Sequence, residues 1–331
     1  MKRVAINGFG RIGRAFFRAA FGNPGIEVVA INDPFLPAET ARYLLTYDSV
    51  YGRFGRDVRV ANGALEIEGK KVELLAGKEP EKLPWGEKGI DLVIESTGIF
   101  LSPEKAELHL KAGAKRVLLS APPKGEGILQ VIHGVNDDAI GPEMKILSAA
   151  SCTTNSFVPV MHILEKEIGV EHALLTTIHG YTGDQRLVDA PHSKLTRSRA
   201  AAINIIPTTT GAAKAATAIL PQLKGKMDGI AFRVPVPTGS VSDISVELSK
   251  DVKDAEEVNV IFRRYADGDL KGILGVSEDP VVSTDIIGDA RPSIVDLSGT
   301  RVVDGRFLKV MAFYDNEWGY ANQLVRLAAK L

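Results

Sequence analysis

The chain has 331 residues, 45% of them apolar and 24% charged, with a formal net charge of −1. That is length enough for two domains with substantial cores. There is no basic excess for nucleic acid as a main partner, no acidic tail and no run approaching a membrane span. The single cysteine excludes an internal disulfide and a cysteine-rich zinc site, and the six histidines show no H-E-x-x-H pairing, so no metal is expected. We expect a reducing, cytoplasmic setting, since the N-terminus reads straight into a strand without the features of a secretory leader. Only four glutamines occur, which suggests a heat-adapted source.

In chain order, Val4 to Asn7 reads as a strand and Arg11 to Phe21 as a helix. Between them Asn7-Gly8-Phe9-Gly10-Arg11-Ile12-Gly13-Arg14 contains G-x-G-x-x-G in the strand-to-helix context that a dinucleotide loop requires. Gly8 would make the tight turn, Gly10 would admit a pyrophosphate to the backbone, and Gly13 would let helix and strand pack closely. Ile26 to Asn32 is the next strand and ends at Asp33, twenty residues after Gly13. A carboxylate there accepts from a ribose diol and repels a 2′-phosphate, which favours NAD over NADP. Strands follow at Asp91 to Thr97 and Arg116 to Ser120, with a helix between them that starts near Ser102, Pro103 and Glu104; Ser102 suits the N-cap and Pro103 the first turn. Near-continuous apolar strands between helices argue for a buried, doubly wound parallel sheet of Rossmann type. Thr97 and Ser120 fall at strand ends, where such sheets bind ligands.

The strand-like Lys145-Ile146-Leu147 leads to Ser151-Cys152-Thr153-Thr154-Asn155 and then to a helical run, Phe157 to Ile168. A thiol at such a junction meets backbone N–H groups and the positive end of a helix, and both favour the nucleophilic thiolate. Beyond it the pattern changes. Leu174 to His179, Val241 to Leu248 and Phe307 to Tyr314 alternate as half-buried strands, and amphipathic helices are predicted at Asp254 to Tyr265 and Glu317 to Lys330. This is an α+β domain with a mainly antiparallel sheet. The polar, basic segment from Tyr181 to Ala202 reads as a functional or interfacial loop.

A nucleophilic cysteine beside a nicotinamide suggests aldehyde oxidation: the thiolate forms a hemithioacetal, hydride leaves, and a thioester remains. A base is needed, and His179 stands out because it ends a strand and opens the basic loop; the other five histidines read as structural or surface residues, and Trp85 and Trp318 as packing.

At this point the chain resembles the phosphorylating glyceraldehyde-3-phosphate dehydrogenase family over essentially its whole length. The residues that carry the resemblance are the glycine loop from Asn7 to Arg14, Ser151 to Asn155, Thr176-Thr177-Ile178-His179, Asn204 to Lys214, and Tyr314-Asp315-Asn316-Glu317-Trp318-Gly319-Tyr320. The resemblance implies an NAD-binding domain of residues 1–151 and 315–331 around a catalytic domain of 152–314. It implies Cys152 as nucleophile and His179 as base. Gly8, Gly10, Arg11, Ile12, Gly13, Asp33, Thr97, Ser120, Asn316 and Tyr320 would bind NAD, with Asn316 on the carboxamide. Arg233 and Thr182 would hold the substrate phosphate and Asp184 would shape that site. Arg197, Ser151, Thr153, Thr210 and Gly211 would receive the attacking inorganic phosphate. The implied reaction takes glyceraldehyde 3-phosphate to 1,3-bisphosphoglycerate in glycolysis and gluconeogenesis, in a homotetramer. Thr208 to Thr210 also read as an ordinary cap before Ala212.

The chain departs from the family pattern at Pro34, where Leu is frequent, at Gly183, where Asn is usual, and at Thr196, where Arg is often found. These touch the adenosine side, a contact to the cofactor and the anion field of the loop. An erythrose-4-phosphate dehydrogenase is the nearest rival. A dinucleotide-binding scaffold for RNA or protein partners is a different class of reading, disfavoured by the neutral charge and the complete Cys152/His179 pair.

Overall fold

The computed structural model describes residues 1–331, which divide into two units: Met1–Ala150 with Ala321–Leu331, and Ser151–Tyr320. In the first, a nine-stranded sheet runs in the order Leu129–Gln130, Ile146–Ser148, Arg116–Leu119, Leu92–Glu95, Lys2–Asn7, Ile26–Asn32, Lys70–Leu75, Ala64–Ile67, Val58–Ala61. The strands from Leu129–Gln130 through to Lys70–Leu75 pair in parallel. Consecutive residues Val4, Ala5 and Ile6, and likewise Val93 and Ile94, are wholly buried. Both faces of these strands are therefore covered, which is why they read as unbroken apolar runs rather than alternating ones. The antiparallel edge turns through Asn62-Gly63 and Glu68-Gly69, all four at positive φ. That is the dihedral pattern of two-residue hairpins whose turns match the strand twist.

The first strand, Lys2–Asn7, lies between Ile26–Asn32 and Leu92–Glu95, so the sheet grows to both sides of it. A crevice opens at the carboxyl ends of strands where the order reverses in this way. The helix Arg11–Ala20 starts at Gly10, and no side chain caps its first turn. Gly8 has φ +94°, and a Cβ there would sit 2.8 Å from the Thr97 backbone nitrogen; one on Gly13 would meet the Gly8 carbonyl oxygen at 2.2 Å. Both positions are closed to any other residue, as the loop motif demands. The helix Pro103–Lys111 is capped by Ser102, whose Oγ accepts from Lys105 N–H.

In the second unit a seven-stranded sheet runs in the order Ile206–Thr209, Met227–Val234, Val170–Gly180, Ser240–Leu248, Phe307–Tyr314, Ser293–Val303, Leu274–Ser277. Four of its six pairings are antiparallel. The expected combination of a doubly wound, mostly parallel sheet with a mainly antiparallel one is the fold observed. One of the two parallel pairings joins Val170–Gly180 to Met227–Val234 and sets His179 opposite Arg233. Helix Cys152–Glu167 packs on Ser293–Val303 and Phe307–Tyr314. It begins at Cys152, five residues before the predicted Phe157. Ser151 caps it through Thr154 N–H, and that local bond outweighs the low helix propensity of Thr153, Thr154 and Asn155. Asp254 caps Ala255–Asp267 by accepting from Glu257 N–H. No helix is long and apolar enough to cross a membrane.

Replacing Gly8 by Ala forces a side chain into a left-handed backbone against Thr97. We expect a loss of about 1–3 kcal/mol, read as a lower urea midpoint at unchanged m-value.

Candidate active site

In the first unit a cavity of about 470 Å³ is lined by Asn7, Gly8, Gly10, Asn32, Asp33 and Thr97 among others. Asp33 is fixed by backbone donors: Phe9 N–H reaches its Oδ2 at 3.0 Å and Phe35 N–H its Oδ1 at 3.1 Å. Ser96 Oγ–H donates to the Gly8 carbonyl at 2.7 Å, which locks the loop. The site fits a dinucleotide on its own terms. Gly8 is pressed to a surface no side chain could share, while the Cβ position of Gly10 faces open space. The first turn behind Gly10 has no side-chain cap, and a fixed carboxylate stands at the end of the second strand. Pro34 also lines the cavity. The Arg11 guanidinium pairs with Asp48 at 2.7 Å. Ser120 lies at the next strand end, its N–H donating to the Glu95 carbonyl, outside the lining of this cavity.

In the second unit the capped helix start and the strand Val170–Gly180 bring Cys152 Sγ to 3.4 Å from His179 Nε2. His179 Nδ1 is 2.6 Å from the Gly180 carbonyl oxygen and 2.7 Å from Arg233 Nη1. One ring nitrogen cannot donate to a carbonyl and accept from a guanidinium at once. Arg233 Nη1 has the same carbonyl at 3.0 Å. We therefore assign the proton to Nδ1, donated to Gly180, which leaves Nε2 as the acceptor facing sulfur. Arg233 makes no ion pair, and its buried Nε has no partner.

The electrostatics correct one expectation. Burial pushes the Cys152 thiol above its ordinary value, and Arg233 and the Thr153 hydrogen bonds only partly offset it. Burial likewise lowers His179 to about 3, assisted by the charge of Arg233 and, more weakly, Arg197, against the Gly180 bond. Burial thus favours the uncharged forms of both groups, and the helix start alone does not outweigh it at Cys152.

Tyr314 escaped the sequence reading. Its hydroxyl bridges Thr153 Oγ1 at 2.9 Å and Thr177 Oγ1 at 2.8 Å, and its ring meets His179 edge-on at 6.0 Å. One hydroxyl thereby ties the residue after Cys152 to the residue two before His179. The block Tyr314 to Tyr320 was visible in the sequence, but a bridge between positions 137 and 161 residues away was not.

Around this pair the basic loop is ordered by its own ion pairs. Arg197 donates to Asp184 at 2.6 Å and to Thr208 Oγ1 at 3.0 Å, while Arg199 binds Asp189. Thr182 N–H is taken by Gln185. Thr210 Oγ1 accepts from Ala212 N–H, the cap that its sequence also allowed, and Gly211 precedes helix Ala212–Ile219 without a side-chain cap. Gly183 faces open space. Asn316 Oδ1 accepts from Thr238 Oγ1, Gly239 N and Ser240 Oγ, so its amide is oriented with Nδ2 as the remaining donor. Tyr320 is buried.

A glycine-loop sheet carried in one chain with a cysteine–histidine pair defines a class, the nicotinamide-dependent oxidoreductases. Comparison with known proteins narrows it. Residues 2–103 match the glyceraldehyde 3-phosphate dehydrogenase NAD binding domain, and 151–316 match the glyceraldehyde 3-phosphate dehydrogenase C-terminal domain. The chain is 51% identical over 328 residues to the glyceraldehyde-3-phosphate dehydrogenase of Geobacillus stearothermophilus, covering 99% of this chain and 97% of that protein. It is 52% identical to that of Streptomyces coelicolor over 328 residues (98% and 97%) and 51% to that of Thermotoga maritima over 327 (98% and 97%). The chain belongs to the glyceraldehyde 3-phosphate dehydrogenase family, and its cofactor is NAD.

Tyr314→Phe should keep the fold but slow alkylation of Cys152 by iodoacetamide several-fold at pH 7. Thr177→Ser should retain the wild-type rate and Thr177→Val should not. Acid stability provides a second check. With His179 at about 3 against an ordinary 6.5, the unfolded chain binds a proton there that the native site refuses. Stability at His179 is therefore lost as pH falls from 6.5 towards 3. Urea titrations at pH 7 and pH 4.5 should show His179→Gln losing less on acidification than the wild type.

Proposed function

We propose that the chain oxidises glyceraldehyde 3-phosphate with NAD and inorganic phosphate to 1,3-bisphosphoglycerate, in glycolysis and its reversal, through a thioester on Cys152. The observation that carries this reading is the Cys152–His179 pair set beside the half-buried guanidinium of Arg233, whose buried Nε has no partner and which no carboxylate pairs. Cys152 Sγ adds to the aldehyde carbon and His179 Nε2 takes up the thiol proton, so that a hemithioacetal forms. When bound, NAD supplies the hydride acceptor. The acyl group stays on sulfur as a thioester; a phosphate oxygen then attacks the thioester carbon, the C–S bond breaks, and the proton held on His179 Nε2 returns Cys152 to the thiol.

Arg233 and Thr182 are suited to the substrate phosphate. A phosphate on Arg233 would also cancel the positive field that weakens His179, so the base gains strength when substrate arrives. Arg197, held in place by Asp184, would receive inorganic phosphate with the hydroxyls of Ser151, Thr153 and Thr210 and the backbone at Gly211. The free Nδ2 of Asn316 suits the carboxamide oxygen of the cofactor, and Tyr320 would pack near its ring. In this reading Gly8, Gly10, Ile12, Gly13, Asp33, Thr97 and Ser120 hold the rest of the cofactor, and the functional boundary of the NAD-binding part falls at 151 and 315.

Self-association is part of the same reading. Leu174 is 64% exposed, Ile230 51% and Phe307 54%, all on strands of the second sheet, and Leu187, Leu195, Ile203 and Ile205 are exposed on and beside the basic loop. Apolar area of this extent suits a second copy, in a homotetramer of a cytoplasmic and heat-adapted protein.

The test is NADH formation from glyceraldehyde 3-phosphate and NAD with and without phosphate. We expect phosphate-dependent turnover, lost in Cys152→Ser, reduced about 10²-fold or more in His179→Gln, and with a raised KM for the aldehyde in Arg233→Leu. Turnover indifferent to phosphate, or faster on erythrose 4-phosphate, would sink the reading. Light scattering on a sizing column should give four times the chain mass.

A further inference from the structure

The first unit buries two titratable side chains that the proposed chemistry does not use, Glu95 and His109, both 0% exposed. They are the centre of a directed hydrogen-bond network. Trp85 Nε1–H donates to His109 Nδ1 at 3.0 Å, which places the ring proton on Nε2, donated to Glu95 Oε2 at 3.0 Å. Asn32 Nδ2 donates to Asn7 Oδ1 at 2.7 Å, and Asn7 Nδ2 to the same Glu95 Oε2 at 2.6 Å. The other carboxylate oxygen, Oε1, accepts from Thr97 N–H at 2.8 Å and from the Thr97 hydroxyl. At its far end Asn32 holds Gly77 by both its N–H and its carbonyl.

The donors of Asn7, His109 and Thr97 all point at Glu95, and none is a cation. Four donors fill both oxygens, so the carboxylate serves only as an acceptor. A buried charge paired with neutral dipoles alone is satisfied only while all of those dipoles keep their orientation. Four residues so held, Asn7, Asn32, Gly77 and Thr97, line the dinucleotide cavity. Thr97 is also the residue against which Gly8 is pressed.

We propose that Glu95 is a positioning residue for the cofactor: its carboxylate, oriented by His109 and Trp85, sets the wall of the dinucleotide cavity and thereby the affinity for NAD. The proposal rests on NAD binding in that cavity and deepens it. Glu95→Gln is the informative substitution because it changes no volume. In either amide orientation, its NH₂ faces two donors: Asn7 and His109 on one side, or both Thr97 donors on the other.

The experiment is NAD titration of the full chain by calorimetry, with kcat at saturating NAD and iodoacetamide alkylation of Cys152 without NAD measured beside it. For Glu95→Gln we expect the Kd for NAD to rise about tenfold or more, while kcat and the alkylation rate stay near wild type. A purely structural defect would move all three together with the melting temperature. His109 supplies a second pair of variants should Glu95→Gln not fold. His109→Gln can still accept from Trp85 and donate to Glu95, and should keep wild-type affinity; His109→Leu can do neither and should lose it. Unchanged NAD affinity in folded Glu95→Gln, or equal loss in the two His109 variants, overturns the proposal. A wild-type chain that fails to bind NAD overturns the cavity assignment itself and this proposal with it.

Discussion

Arg233 is held against His179 by strand register, not by a partner of opposite charge. Its Nη1 rests on the Gly180 carbonyl while Nε is buried and unpartnered. The rest of the second unit's chemistry depends on that uncompensated cation. It weakens His179 as a base, and it draws the thiol of Cys152 part of the way back from the upward push of burial. The parallel pairing of Val170–Gly180 with Met227–Val234 makes the arrangement rigid, because a one-residue slip would turn Arg233 to the opposite face of the sheet.

The two units treat their charged side chains in opposite ways. Glu95 is saturated by four donors and can do no more than hold its neighbours in place. Arg233 is left short of partners. Saturation suits a wall that must keep one shape. Shortage suits a site that receives and releases an anion, because the ligand then supplies what the fold withheld.

Much of this was legible in the residues. Gly8, Gly13 and Asp33 carry local backbone and spacing rules, and the structure places them as those rules require, with Asp33 fixed by Phe9 and Phe35 N–H. Cys152 and His179 were singled out by their junctions, and they meet. The helix starts at Cys152 and not at Phe157 because Ser151 caps it, although Thr153, Thr154 and Asn155 have low helix propensity. The edge hairpin went unread, although Asn62-Gly63 is a strong turn signal between alternating strands. What no local pattern carries is a polar pair across a long stretch of chain, as with Tyr314 to Thr153, or Asn7 to Glu95. His109 reads as structural or surface and Trp85 as plain packing, because the bonds that give them a direction join side chains of different elements, 14 and 24 residues apart.

The first unit is assembled from both ends of the chain: Lys2 Nζ donates to the Ala329 carbonyl, and Arg116 reaches the carbonyl of Leu331. During synthesis, residues 1–150 leave the ribosome without the helical segment that completes them, and the whole of the second unit must be made before it arrives. Nascent chains stalled anywhere in that interval carry an unfinished nucleotide-binding unit, whose folding waits for residues 321–331 to be made.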